Sequence, residues 1–187
     1  MTERLEVFEA LLRPLPAGRL LDLATGHGSF AMAAADLGWK VTAVDVRTGR
    51  FPKGRDEITW VQADVRDYRF EAAGFDLIAV LGLLYHMPLD DQMDLLRRCV
   101  GAPTIVDTHI SREPTVNQDG YDGHLFDEDA GRGAEARQRS GTASWGNRWS
   151  FWATLRSTER MLHDAGFQHT FRLSPLMSRD RTWWWCL

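Results

Sequence analysis

Between residues 19 and 107 short apolar runs alternate with helix-patterned stretches, and this alternation most restricts what the chain can fold into. Strands separated by helices build a parallel sheet with helices packed on its faces. Strands are predicted over 19–23, 39–46, 58–63, 75–81 and 104–107. The fourth is almost wholly apolar, as a strand covered on both faces must be. Leu5, Phe8, Leu11 and Leu12 recur at helical spacing and predict a first helix that stops at Pro14. An alanine-rich helix is expected over 29–37, closed by Gly38, and another over 89–99.

Beyond Ile110 the pattern lapses. To about Ser150 the chain is rich in Gly, Asp, Arg, Ser and Asn without a clean period, which reads as a lid, a binding loop or a locally disordered stretch. A helix over 151–165, ended by Gly166, and strands over 167–173 and 182–187 complete the prediction, with Pro175 in the turn between the strands. Trp183, Trp184 and Trp185 fall on the last strand, where successive side chains face opposite covered sides; they are read as core. With no internal repeat and no linker, 187 residues imply a single domain, 1–187, with 110–150 as its substrate-side lid.

The chemistry concentrates at the ends of the first strands. Asp22-Leu23-Ala24-Thr25-Gly26-His27-Gly28 is a strand end running into a small-residue turn and then a helix. Such a turn lets a ligand approach the backbone and face the free amides of a helix N-terminus. Asp45 ends the second strand, about where a carboxylate can accept from both hydroxyls of a ribose in the crevice of a doubly wound sheet. To this point a dinucleotide-binding domain fits equally well, because a glycine-rich turn alone is a weak signal. Asp64-Val65 after the third strand and Phe75-Asp76 opening the fourth separate the two readings.

With those residues the chain resembles the class I S-adenosylmethionine-dependent methyltransferases. Their signature is an acidic-Leu-Gly-x-Gly-x-Gly turn, an acid after the second strand, an Asp-Val-like pair after the third and an FD start to the fourth. Leu83-Leu84-Tyr85-His86 and the ending, a helix and glycine followed by two strands, are also similar to that family. The resemblance covers nearly the whole chain and weakens between about 111 and 150. It implies an α/β, Rossmann-like fold with a seven-stranded, mostly parallel sheet, an antiparallel last strand and S-adenosyl-L-methionine as cofactor. One position departs: the first glycine of the family turn is Ala24, and alanine does not freely take φ > 0.

The resemblance also implies roles. Asp22 lies near the cofactor's ammonium, and Ala24, Gly26 and Gly28 offer backbone to the methionine portion. Asp45 holds the ribose, Val46 meets the adenine face, Asp64 accepts from the adenine amino group and Val65 offers an amide beside it. Leu81 and Gly82 pass close to the sulfonium. Taken singly, Asp22 and Asp45 also suit helix or turn caps, and Asp67 stands near enough to replace Asp64.

His86, Asp107 and His109 are the candidate general bases, each at a strand exit on the crevice side. His86 also suits a wall residue, and Asp107 with His109 also suits a structural pair. These three with Asp122 and His124 are metal-ligand types, but their spacing requires no metal and none is assigned. Trp145, Trp149 and Trp152 suit either stacking on an acceptor or sealing the lid, with Arg148 as a candidate anion contact.

The acceptor is expected to be a small molecule, with O-methylation slightly favoured. A net charge of −4 argues against a general nucleic-acid surface, which needs cationic groups to displace counterions. Two further functions stay open. Gly82-Leu83-Leu84-Tyr85-His86 is similar to a segment of tRNA wobble-uridine carboxymethyl-transferring enzymes, and a non-catalytic module holding the cofactor or its product would need no base at all. No apolar run is long enough to span a bilayer. Two cysteines without metal spacing suit a reduced, cytoplasmic setting.

Overall fold

A computed structural model describes residues 3–173 and 180–187 of the chain; Pro175 and its turn lie outside them. Strands β1 (Arg19–Leu23), β2 (Lys40–Asp45), β3 (Thr59–Gln62), β4 (Leu77–Leu81) and β5 (Thr104–His109) lie parallel. β9 (Thr170–Leu173) and β10 (Arg181–Cys186) complete a seven-stranded sheet of order β3-β2-β1-β4-β5-β10-β9. β10 runs antiparallel to both its neighbours, as the resemblance implied.

The period of two along each strand divides the core. Leu21 and Leu23 of β1, with Ile78 and Val80 of β4, face α3 (Leu89–Cys99) and α5 (Leu155–Ala165). Leu20, Leu77, Ala79 and Leu81 face α1 (Glu3–Leu12) and α2 (Ser29–Asp36). Each fully buried Leu or Ile contributes about 1.5–3 kcal/mol relative to exposure. Ala31 and Ala34 bring α2 close to the sheet. Trp183 and Trp184 point to opposite sides and are almost completely buried, as expected of core residues.

The stretch from 110 to 150 is only partly irregular. β6 (Val116–Gln118), β7 (Tyr121–Asp127) and β8 (Trp149–Ala153) form a separate antiparallel sheet, with α4 (Ala134–Arg139) between the last two strands. The helix expected from Phe151 therefore starts later, at Leu155, where Thr154 caps it by accepting from the Ser157 amide at 3.1 Å. Residues 151–153 are strand because their backbone is tied elsewhere. The Phe151 amide donates to the Met87 carbonyl, and the buried Gln92 donates to the carbonyls of both Met87 (2.9 Å) and Phe151 (2.7 Å). These bonds fix the accessory sheet to the strand ends that carry the chemistry.

Candidate active site

A two-part cleft opens at the carboxyl ends of β1, β2, β4 and β5. Its parts share Ala24, Arg47, Leu83 and His86. The first part spans about 440 Å³, partly open to solvent; Asp45, Val46, Asp64 and Val65 form one wall, and 144–147 face them. The second runs past Thr25, Gly26, Leu81 and Gly82 to Tyr85, His109, Phe126 and Trp152.

Local sequence explains the turn. Ala24 and Gly26 both stand in the left-handed region, at φ 61° and 59°. For alanine that conformation costs roughly 1–2 kcal/mol, so the departure from the family turn is held under strain. A Cβ on Gly26 would meet nothing within 4 Å, which leaves its backbone open to a ligand. Gly28 serves a different end: a Cβ there would lie 2.6 Å from the Trp60 ring, and it does not line the cleft.

Asp45 joins two turns. One carboxylate oxygen accepts from the Gly26 amide at 2.9 Å and the other from the Arg47 amide at 2.8 Å. Each oxygen keeps a lone pair, which is what two ribose hydroxyls require. Asp64 is more committed, since it accepts from the amide, Nε and Nη2 of Arg66, and Arg66 holds its carboxyl below the usual range against the effect of burial. An open glycine backbone beside an acid with free lone pairs fits a nucleoside cofactor, chiefly through Gly26 and Asp45.

Asp22 lies behind the turn, fully buried, and accepts from the Thr25 hydroxyl at 2.6 Å. Burial, with a smaller push from Asp45, raises its carboxyl to about 6 although the Thr25 bond opposes the shift. A carboxyl raised in the native state stabilises the fold fully below its unfolded value, near 3.8, and loses that contribution as pH rises through about 6. Asp22→Asn is therefore expected to stabilise the ligand-free protein at pH 7 by on the order of 2–3 kcal/mol and to have little effect at pH 4. Denaturant unfolding at the two pH values checks this; equal effects at both would refute it.

The three candidate bases are treated unequally. Asp107 is completely buried and bound to two arginines, Arg4 through Nε at 2.7 Å and Arg181 at 2.8 Å. His109 is half-buried, faces the Asp180 carbonyl at 3.2 Å and is not bonded to Asp107. Burial first, then the Arg181 charge, lowers its pKa. His86 places Nδ1 2.9 Å from Glu128, a residue that sequence reasoning missed. Glu128 is buried within the polar stretch and also accepts from the Ser150 hydroxyl (2.6 Å) and the Ser144 amide (3.0 Å). Burial opposes its ionisation, but these donors and His86 bring its pKa below the ordinary value. An ionised carboxylate only accepts, so Nδ1 carries the proton and Nε2 is left as the basic nitrogen.

The polar stretch reaches the cleft through main chain. Arg47 donates to the carbonyls of Gln138 and Ala143, and Arg50 to those of Ser140 and Gly141. Arg47 also lies over the Trp145 ring at 5.1 Å. Trp145 and Trp152 face the cleft, whereas Trp149 is largely exposed on another side and Arg148 pairs with Asp127. His124 bonds Thr115 and Asp122 bonds Asn117, both on the accessory sheet. No group of three or more His, Cys, Asp or Glu side chains suited to a metal occurs among the described residues. No helix among them is long and apolar enough to cross a membrane.

Residues 20–102, from β1 to the end of α3, match the family described as "Methyltransferase domain". No curated protein matches. Solved structures share the fold at low identity. The N-terminal domain of EvdMO1 with S-adenosylhomocysteine bound is 20% identical, with TM-score 0.73 over 98% of this chain and 78% of that one. Burkholderia thailandensis 1,6-didemethyltoxoflavin-N1-methyltransferase, with its acceptor and S-adenosylhomocysteine, is 19% identical, with TM-score 0.66 over 97% and 76%. The glycopeptide N-methyltransferase MtfA with S-adenosylmethionine is 16% identical, with TM-score 0.64 over 99% and 92%. Over residues 20–102, which carry the signature turn and the first four strands, the chain matches the methyltransferase-domain family, and its fold is that of structures solved with S-adenosylmethionine or S-adenosylhomocysteine bound.

Proposed function

We propose that this methyltransferase acts on a hydroxyl of a small molecule, with His86 as general base and Glu128 as the residue that positions it. The observation that carries this reading is the His86–Glu128 pair beside the strand-end cleft. A neutral hydroxyl is a poor nucleophile until its proton leaves, and a placed base contributes about 10²–10⁴-fold. When bound, the cofactor supplies an electrophilic methyl on a sulfonium. The acceptor's proton passes to His86 Nε2, the freed oxygen lone pair forms the new O–C bond, and the electron pair of the broken S–C bond remains on sulfur. The imidazolium then releases its proton to solvent.

In this reading Asp45 and Gly26 hold the ribose side, with Val46, Asp64 and Val65 along the adenine. Asp22, buried behind the turn, acts on the ammonium side through its charge alone, and Ala24, Leu81 and Gly82 flank the methyl. Residues 110–150 are the acceptor-side lid of one domain, 1–187. The two cysteines, buried and free, suit a reducing, cytoplasmic protein. Asp107, held by two arginines, acts as structure.

Incubation with methyl-labelled cofactor and a panel of alcohols, phenols and amines tests the proposal. Label is expected in a hydroxyl-bearing acceptor. Label confined to amines, or in no panel member although S-adenosylhomocysteine binds, would refute O-methylation.

A further inference from the structure

The acceptor side of the cleft narrows the acceptor further, and this step rests on the reading above. Five rings line it in an unbroken chain. Tyr85 lies 4.2 Å from His86 and 4.6 Å edge-on to His109. Trp152 is stacked between His109 (5.2 Å, 10° between planes) and Phe126 (5.0 Å, 22°). Phe126 is 39% exposed and gives the chain an outer end that a ligand can meet.

The polar groups along this wall are largely engaged. The Tyr85 hydroxyl accepts from Arg181 at 3.2 Å, and Glu128 is held by His86, Ser144 and Ser150. Asp107 answers two guanidiniums with one charge, and the Asp180 carboxylate lies 3.6 Å from His109 Nδ1. Arg4, Arg47 and Arg50 line this part of the cleft, and Arg181 lies 5.3 Å from the Tyr85 ring centre. An ammonium ion would meet like charge there, and no Asp or Glu is among the described residues that line this part of the cleft. A sugar would bring several hydroxyls to a wall that offers mainly ring surface. A flat ring suits the ring surface, and its oxyanion suits the guanidiniums that line it.

We infer that the acceptor is an aromatic or heteroaromatic ring carrying an acidic hydroxyl, seated against Tyr85, His109, Trp152 and Phe126 with its oxygen toward His86. The positive surround lowers the cost of the oxyanion, so His86 removes a proton that is already labile. Atoms and charge balance as in the transfer above: the ring gains the methyl on oxygen, and the proton leaves through the imidazole.

Calorimetric titration of the full chain tests this, first with S-adenosylhomocysteine alone. Failure of that titration would sink the methyltransferase reading itself, before any acceptor is added. The saturated protein is then titrated with 2-naphthol, with 2-naphthylmethylamine, which keeps the ring and reverses the charge, and with methyl β-D-glucopyranoside. The naphthol is expected to bind at least about tenfold tighter than the amine, and the glucoside weakest. Phe126→Ala is expected to weaken the naphthol by about 2- to 10-fold and to leave the first titration unchanged. The inference is overturned if the amine or the glucoside binds as tightly as the naphthol, if no binding of the naphthol is detected, or if Phe126→Ala leaves its affinity intact.

Discussion

Asp45→Ala is expected to remove the thermal stabilisation that S-adenosylmethionine and S-adenosylhomocysteine give the wild-type protein. A ligand at about a hundred times its Kd stabilises a fold by roughly 2.7 kcal/mol, or about 5–10 °C for a domain of this size. Asp45 is the acid that combines uncommitted lone pairs with a place beside the open Gly26 backbone. Its loss therefore takes away the two lone pairs proposed for the ribose and the bond that sets the Gly26 turn. Because that bond also ties two turns together, the ligand-free midpoint of Asp45→Ala will fall. Asp45→Asn keeps the shape but can accept from only one of the Gly26 and Arg47 amides, and should lower the ligand-free midpoint less than Asp45→Ala while reducing the ligand shift. NAD is expected to shift neither the wild type nor the variants. An undiminished shift with S-adenosylhomocysteine in Asp45→Ala would remove Asp45 from the cofactor site.

The second large effect concerns turnover. With a working acceptor, His86→Ala should lower kcat by about 10²–10⁴-fold while S-adenosylhomocysteine still stabilises the protein. Glu128→Gln should lower kcat less, because the imidazole remains present but loses the anion that fixes its tautomer. The Gln amide cannot accept from both His86 and Ser144, so the ring also loses its orientation. Glu128→Asp, which keeps the charge and both acceptor oxygens, should restore part of the kcat that Glu128→Gln loses. A merely structural Glu128 would change stability and leave kcat in place. An unaltered kcat in His86→Ala would mean that the acceptor arrives already deprotonated.

The main sheet was legible because its strands are short, apolar and doubly covered, so pattern and environment coincide. The 89–99 helix and the 19–23 strand fall where periodicity put them. The accessory sheet was not legible, for reasons visible at single residues. β6 is three residues long and mostly polar. Gly123 looks like loop punctuation, yet it sits mid-strand in β7 because a Cβ there would lie 2.5 Å from the Phe151 ring. The start of the 151–165 helix misled because Phe151 and Trp152 continue its apolar pattern, while the bonds that make them strand come from Met87 and Gln92, distant in sequence.

The candidate site divides the same way. The cofactor side follows from strand ends that sequence marks directly. Glu128 lies in an acidic, glycine-rich neighbourhood where one more carboxylate carries no signal, and only tertiary packing shows that it is buried against His86. Asp107 looked like a base until Arg4 and Arg181, far away along the chain at either end, proved to close on it.

The grip of Arg47 and Arg50 on residues 138–143 has a consequence for divergence. All four bonds end on peptide carbonyls, an address every amino acid carries. Exchanges of side chain along that segment leave the clasp itself untouched. Descendants of this protein can thus rewrite the text facing the acceptor while the page stays bound to the spine.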